Sequence, residues 1–182
     1  TEEKICAEAH LKIKKTYNNI LTIIIPRHVH RIEKIKSELL SLDLKVVLHS
    51  KFDQISDDTD ILLVDSYGEA INFFSISRCV FLGKSLNKSL IKDSGQNPIE
   101  PSRLGCKIFH GPNVSNFVEI YDFLHTLGAA KKINNIQELS HALVDEFSKD
   151  KSKNIEIIKK LENHGHSTLS NIIRELKKYI NI

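Results

Sequence analysis

The sequence predicts an α/β fold: a doubly wound parallel sheet of about six strands flanked by helices, followed by a helical carboxyl-terminal segment. Two observations carry this. Apolar, β-branched runs too short for helices recur along the chain, as in Ile20 to Ile25, "ILTIII". Between them lie stretches whose apolar residues return at helical spacing. Alternation of this kind argues for βαβ units and parallel strands.

The elements follow in order. Residues 2–16 place Ile5, Cys6, Ala9 and Ile13 on one face with charges opposite, a helix. "ILTIII", ended by Pro26, reads as a strand buried on both faces. Val29, Ile32, Ile35 and Leu39 restore the helical period as far as about Leu40. "KVVLHS" is a second strand, "KFDQISDDTD" a polar connection, and "ILLVD" (61–65) a third strand. Gly68-Glu69 opens a helix to about Ser77, and "CVFLG" (79–83) is the fourth strand. A long Ser-, Lys-, Asn- and Gly-rich connection leads to a helix beginning at "NPIE" and then to the strand "CKIFHG" (106–111). A helix through Phe117, Ile120, Tyr121 and Leu124 precedes a sixth strand, "AAKKI". From Asn135 onward the pattern is helical, with breaks expected near Ser148 to Lys153 and at Gly165.

At 182 residues the chain has the size of one domain with an appendage, divided here at 1–150 and 151–182. No apolar run is long enough to span a bilayer and no signal peptide opens the chain, so a soluble piece is expected. Methionine is absent and the first residues are already helical, which suggests a piece of a longer polypeptide. Cys6, Cys79 and Cys106 lack metal-site spacing and read as buried thiols of a reducing compartment. The lysines of the second half read as a solvated helical face, compatible with an anionic surface.

Doubly wound sheets bind ligands where the carboxyl ends of strands enter the following loops, so those loops hold the candidate residues. Arg27, held in direction by Pro26, can pair its N–H donors with a phosphate, or can be a surface arginine at a strand end. In Tyr67-Gly68-Glu69, the glycine permits a tight turn at a helix start; Glu69 can accept from a ligand hydroxyl or complement the helix dipole. Asn97-Pro98-Ile99-Glu100 has the spacing of a helix cap. The long connection before it favours a ligand role. Asp57 to Asp60, "DDTD", contains an Asp-x-Asp that could hold a divalent ion, but it precedes its strand and so lies at the opposite edge. His28 and His30 have no third ligand nearby in sequence. Dinucleotide, P-loop and hydrolase motifs are absent.

Taken in order and spacing, "IIIPRH", "ILLVDSYGE", "VFLGKSL", "GQNPIEPSRLG" and "HGPNVSNF" resemble the carboxyl-terminal half of the 3-deoxy-D-manno-octulosonic acid (Kdo) transferases of lipopolysaccharide biosynthesis. The resemblance runs from about Glu2 to the end of the chain. It implies one Rossmann-like half of a GT-B glycosyltransferase, binding the donor CMP-Kdo. Pro26 and Arg27, then Tyr67, Gly68 and Glu69, then Asn97, Pro98, Ile99 and Glu100 would line the CMP site, with Arg27 on the phosphate. It further implies inverting transfer without metal or cofactor and a general base in the amino-terminal half. That half would also bind the lipid A precursor and hold the enzyme at the cytoplasmic face of the inner membrane. No catalytic residue is expected in this chain, nucleic acid is not an expected partner, and a first strand would precede the opening helix. The chain departs from the family at Gly83-Lys84, where a Gly-Gly is usual, at Gly95-Gln96, usually Gly-His, and at Tyr67, commonly methionine. A different GT-B transferase, a sugar-nucleotide epimerase with a uridine donor, or a non-catalytic nucleotide-binding module are the competing readings.

Overall fold

The computed structural model describes residues 1–86, 93–149 and 153–179. Among these residues the α-helices are α1 (Glu2–Lys14), α2 (Ile32–Leu40), α3 (Ala70–Ile76), α4 (Ile99–Arg103), α5 (Val118–Thr126), α6 (Ile136–Phe147) and α7 (Lys153–Leu176). The strands among these residues are β1 (Thr22–Ile24), β2 (Val46–Leu48), β3 (Ile61–Leu63), β4 (Cys79–Leu82), β5 (Lys107–His110) and β6 (Ala130–Lys132), with helices between all but β2 and β3, which a 3-10 segment (His49–Gln54) joins. Every strand pairing is parallel. Parts of the long connection after β4 and of the expected break after α6 lie outside the described residues.

The strands are hydrogen-bonded as two three-stranded sheets, β1-β3-β2 and β4-β5-β6, rather than as one. The first strand is correspondingly less buried than its run of isoleucines implies. β3, between two neighbours, is buried at all three positions, whereas β1, paired on one side, is buried only at Ile24. Helices cover both faces. Ala7 of α1 and Ile32, Ile35 and Leu39 of α2 pack on Ile24, Ile61 and Leu63. Phe73 of α3 packs with Leu62 and Val64 on the other face. In the second sheet, Tyr121 and Leu124 of α5, with Ile157 and Leu161 of α7, cover Leu82 and Ile108. Ala9 and Ile5 of α1 and Leu139 and Ala142 of α6 cover Phe81 and Phe109. The small residues Ala7 and Ala9 thus let one helix pack against both sheets.

Below that helix lies a buried polar knot. Asp60 is 4% exposed and accepts from Lys14 Nζ, from the Lys45 N–H at 2.9 Å and from His10 Nε2 at 3.2 Å. His10 Nδ1 in turn accepts from Thr22 Oγ1 at 2.9 Å. Burial lowers the pKa of His10, outweighing the hydrogen bond to Asp60, so the ring is neutral and the contact is a hydrogen bond. Burial alone would raise the Asp60 pKa; the donors from Lys14, Lys45 and His10 outweigh it and hold it below the ordinary value. The knot sits at the amino end of β3, joining α1, β1 and the first sheet. Asp58 forms an ion pair with Lys45. Both aspartates of the Asp-x-Asp motif are therefore committed to neighbouring cations.

The three thiols are free, and burial pushes Cys6 and Cys79 up to about 12 and Cys106 to about 11. Arg78 donates to the carbonyls of Glu146, Phe147 and Lys149 and so caps the carboxyl end of α6 with a cation.

The helix break expected at Gly165 is absent: α7 runs unbroken for 24 residues. A mid-helix glycine costs only about 1 kcal/mol relative to alanine, too little to interrupt a helix anchored by Ile157 and Leu161. A Cβ at Gly165 would meet no atom within 4 Å. Gly165→Ala will accordingly stabilise α7 by about 1 kcal/mol, read as greater helical ellipticity and later melting; a loss of helicity would contradict this.

Candidate functional site

The carboxyl ends of the parallel strands present four loops. After β1, Pro26 is buried and Arg27 exposed. After β3, Tyr67 is 71% exposed and its hydroxyl accepts from the Val29 N–H at 3.4 Å. This contact joins the first two loops, as expected of neighbouring strands. Gly68 has φ +85°, a left-handed conformation, and a Cβ there would meet nothing. Glu69 occupies the N-cap position of α3 without a side-chain cap bond, and accepts from Asn72 Nδ2 at 2.9 Å instead.

After β4, the segment 93–98 leads into α4. Asn97 Oδ1 accepts from the Ile99 N–H at 3.0 Å, so the capping role is real. The helix nevertheless begins at Ile99, with Pro98 as its N-cap residue. Pro98 is buried, Ile99 is 39% exposed, and Glu100 points outward in the first turn. Ser102 Oγ and the Ser102 N–H both return to the Pro98 carbonyl, which holds the entry rigid. The Asn97 amide N–H groups and the side chains of Arg27 and Glu100 have no protein hydrogen-bond partner among the described residues. Helices α3 and α4 pack on each other.

Two side chains in the first turn of α1 show that the two sheets present their carboxyl ends at the same edge. Glu2 accepts from the backbone N–H groups of Lys84, Ser85 and Leu86 after β4. Glu3 pairs bidentately with Arg31, just beyond the β1 loop, at 3.0 and 3.4 Å. Nothing local in "TEEK" signals these partners, which lie 82 to 84 and 28 residues away.

After β5, a cavity of about 390 Å³ is lined by His110, Asn113, Ser115, Tyr121, His125 and Lys132 among others. In sequence this loop, "HGPNVSNF", stands at the carboxyl end of a strand, where ligands bind, with no candidate residue assigned in it. Buried His110 donates from Nδ1 to the Gly111 carbonyl at 2.7 Å, which leaves Nε2 to accept from His125 Nε2–H at 2.9 Å. Burial pushes His110 from 6.5 to about 4 and also lowers His125, so the pair is neutral. Between pH 6.5 and about 4 the unfolded chain binds a proton that the folded chain refuses. This stability is complete above 6.5 and is lost as pH falls towards 4, by about 3 kcal/mol for 2.5 pH units. Urea midpoints measured from pH 7.5 to 4.5 will fall for the native chain and fall less for His110→Phe. Parallel falls would remove His110 as the cause.

Among the described residues no three His, Cys, Asp or Glu side chains are placed to hold a metal, and no helix is long and apolar enough to cross a membrane.

Parallel strands with helices on both faces define the class, a Rossmann-like α/β domain. A solved structure with this fold is the C-terminal CMP-Kdo binding domain of WaaA from Acinetobacter baumannii. The match has a TM-score of 0.79 and 24% identity, over 88% of this chain and 82% of that one.

The particular protein to which the sequence is similar is 3-deoxy-D-manno-octulosonic acid transferase. The Haemophilus influenzae enzyme is 26% identical over 92% of this chain and 38% of its own length. The enzyme of Aquifex aeolicus is 25% identical over 85% of this chain and 41% of its own. That of Rickettsia bellii is 29% identical over 97% and 40%. The chain thus spans about two-fifths of the length of these relatives. No protein-family model matches it.

Proposed function

We propose that this chain is the donor-binding half of a glycosyltransferase that moves Kdo from CMP-Kdo to a lipid A precursor. The observation that carries the reading is the pair of exposed, oppositely charged side chains in the segments that follow the carboxyl ends of β1 and β4, Arg27 and Glu100. Neither has a hydrogen-bond partner among the described residues. Arg27 offers a planar fork for the CMP phosphate, Glu100 accepts from ribose hydroxyls, and Asn97 donates its amide to the phosphate while its oxygen holds the helix entry. Pro26, Pro98 and Ile99 shape the backbone between these groups. Tyr67, Gly68 and Glu69 form the adjoining wall.

In the whole enzyme the acceptor hydroxyl oxygen attacks the Kdo anomeric carbon with inversion, and the bond to the CMP phosphate oxygen breaks with its electron pair. A base elsewhere in the longer protein takes the hydroxyl proton, and Arg27 stabilises the departing phosphate. No metal or cofactor is invoked. Residues 1–150 are the donor-binding unit. In 151–182, α7 carries an outer row of exposed Leu169, Ile172, Ile173 and Leu176 that packs against the rest of the protein, which also holds the acceptor site and meets the cytoplasmic face of the inner membrane.

Titration with CMP, UMP and AMP tests the reading. CMP should bind most tightly. A preference for UMP would redirect it to another GT-B transferase or an epimerase, and indifference to all three would sink it.

A further inference from the structure

We propose that Glu2 is a positioning residue: its carboxylate, filling a cradle of three successive backbone N–H groups, braces the donor-site loops of the second sheet against the helix that also anchors those of the first. This rests on the proposed nucleotide site.

The Leu86 and Ser85 N–H groups donate to Glu2 Oε1 at 2.7 and 3.0 Å, and the Lys84 N–H to Oε2. The cradle requires an unusual backbone. Lys84 has φ 57°, and a Cβ at Gly83 would stand 2.9 Å from Glu2 Oε2, so glycine makes room for the carboxylate.

From the cradle the constraint passes onward through hydrogen bonds. The Lys84 carbonyl accepts from the Gly95 N–H at 2.8 Å, two residues before Asn97. Ser85 Oγ accepts from the Gly111 N–H at 2.8 Å, and the Ser85 carbonyl from the Asn113 N–H at 2.9 Å. A Cβ at Gly111 would stand 2.2 Å from the Ser85 carbonyl oxygen, so the β4 and β5 loops lie backbone on backbone. Ser94 and Ser115 exchange N–H to Oγ bonds at 3.1 Å, and Tyr121 donates to the Gln96 carbonyl at 3.0 Å. On the other side of the same helical turn, Glu3 holds Arg31, four residues beyond Arg27. One turn of α1 therefore sets the spacing between the Arg27 wall and the Asn97–Glu100 wall.

The test uses the full chain as native protein, Glu2→Ala and Glu3→Ala, with CMP titration and amide hydrogen exchange, each with and without added formate. In Glu2→Ala, CMP affinity should fall about tenfold. Exchange should quicken at Lys84 to Leu86 and also at Gly95, Gly111 and Asn113. Formate, a free carboxylate able to refill the cradle, should reverse both effects in Glu2→Ala and neither in Glu3→Ala. A merely structural loss would not be rescued in this way. Unchanged CMP affinity in Glu2→Ala overturns the proposal. If the native chain itself binds no CMP, the site reading fails and exchange alone decides the brace. Quickening confined to Lys84 to Leu86 overturns it; spread to Gly95, Gly111 and Asn113, reversed by formate, upholds it.

Discussion

Arg27→Ala will weaken CMP binding by about 2 kcal/mol, some thirtyfold, and will cut transfer by the full-length enzyme about 100- to 1000-fold. The two readouts differ because a phosphate gains charge as it departs, so a cation at that oxygen stabilises the transition state more than the bound donor. Folding stability should stay within about 0.5 kcal/mol, since Arg27 is exposed and has no hydrogen bond among the described residues to lose. Arg27→Lys should recover only part of the affinity, because an ammonium lacks the planar pair of donors. Calorimetric titration of both variants with CMP checks the first effect. Native-like CMP affinity in Arg27→Ala would show the residue to be a surface arginine at a strand end.

Asp60→Ala acts on the other end of the sheet and on stability alone. It leaves the His10 Nε2–H and the Lys45 N–H without their acceptor in a buried place and removes the anion facing Lys14. The expected loss is about 3 kcal/mol. At this chain length that lowers the melting midpoint by roughly 6–12 °C. Asp60→Asn, which keeps the shape and one acceptor oxygen, should lose less. Because the Asp60 pKa lies below its unfolded value, its contribution is present above that value and disappears as pH falls through the folded pKa. The two proteins should therefore converge in stability under strong acid. Thermal melts at pH 7 and in acid check both effects, and a difference that persists in acid would point to lost packing instead. CMP affinity should be untouched, which separates this knot from the site.

Much of the fold was legible locally. A strand buried between neighbours needs apolar residues on both faces, and "ILLV" shows that without any knowledge of its partners. Gly68 announced a turn because a left-handed backbone is cheap only for glycine. Asn97 announced a helix entry through the chemistry of its side chain, and its bond to the Ile99 N–H is the local one that chemistry favours. Other features were illegible because the interactions that decide them span dozens of residues. Glu2 reads as an ordinary acidic residue in a first helical turn, yet it cradles against Lys84 to Leu86. His110 reads as one more strand residue until His125 is placed beside it. Gly165 misled in the opposite direction, since the packing of α7 outweighs a weak local preference.

By itself, the sequence determined the alternation of strands and helices, the parallel class of the sheet, and the loops that carry Arg27, Glu69, Asn97 and Glu100. All of these follow from periodicity and short-range backbone chemistry. Only the tertiary structure decided that the strands join as two sheets, that one helix spans both, and that Glu2 and Glu3 tie the two sets of loops to a common edge. Those outcomes depend on hydrogen bonds between groups distant in sequence, whose partners are chosen by packing and leave no periodic trace in the chain.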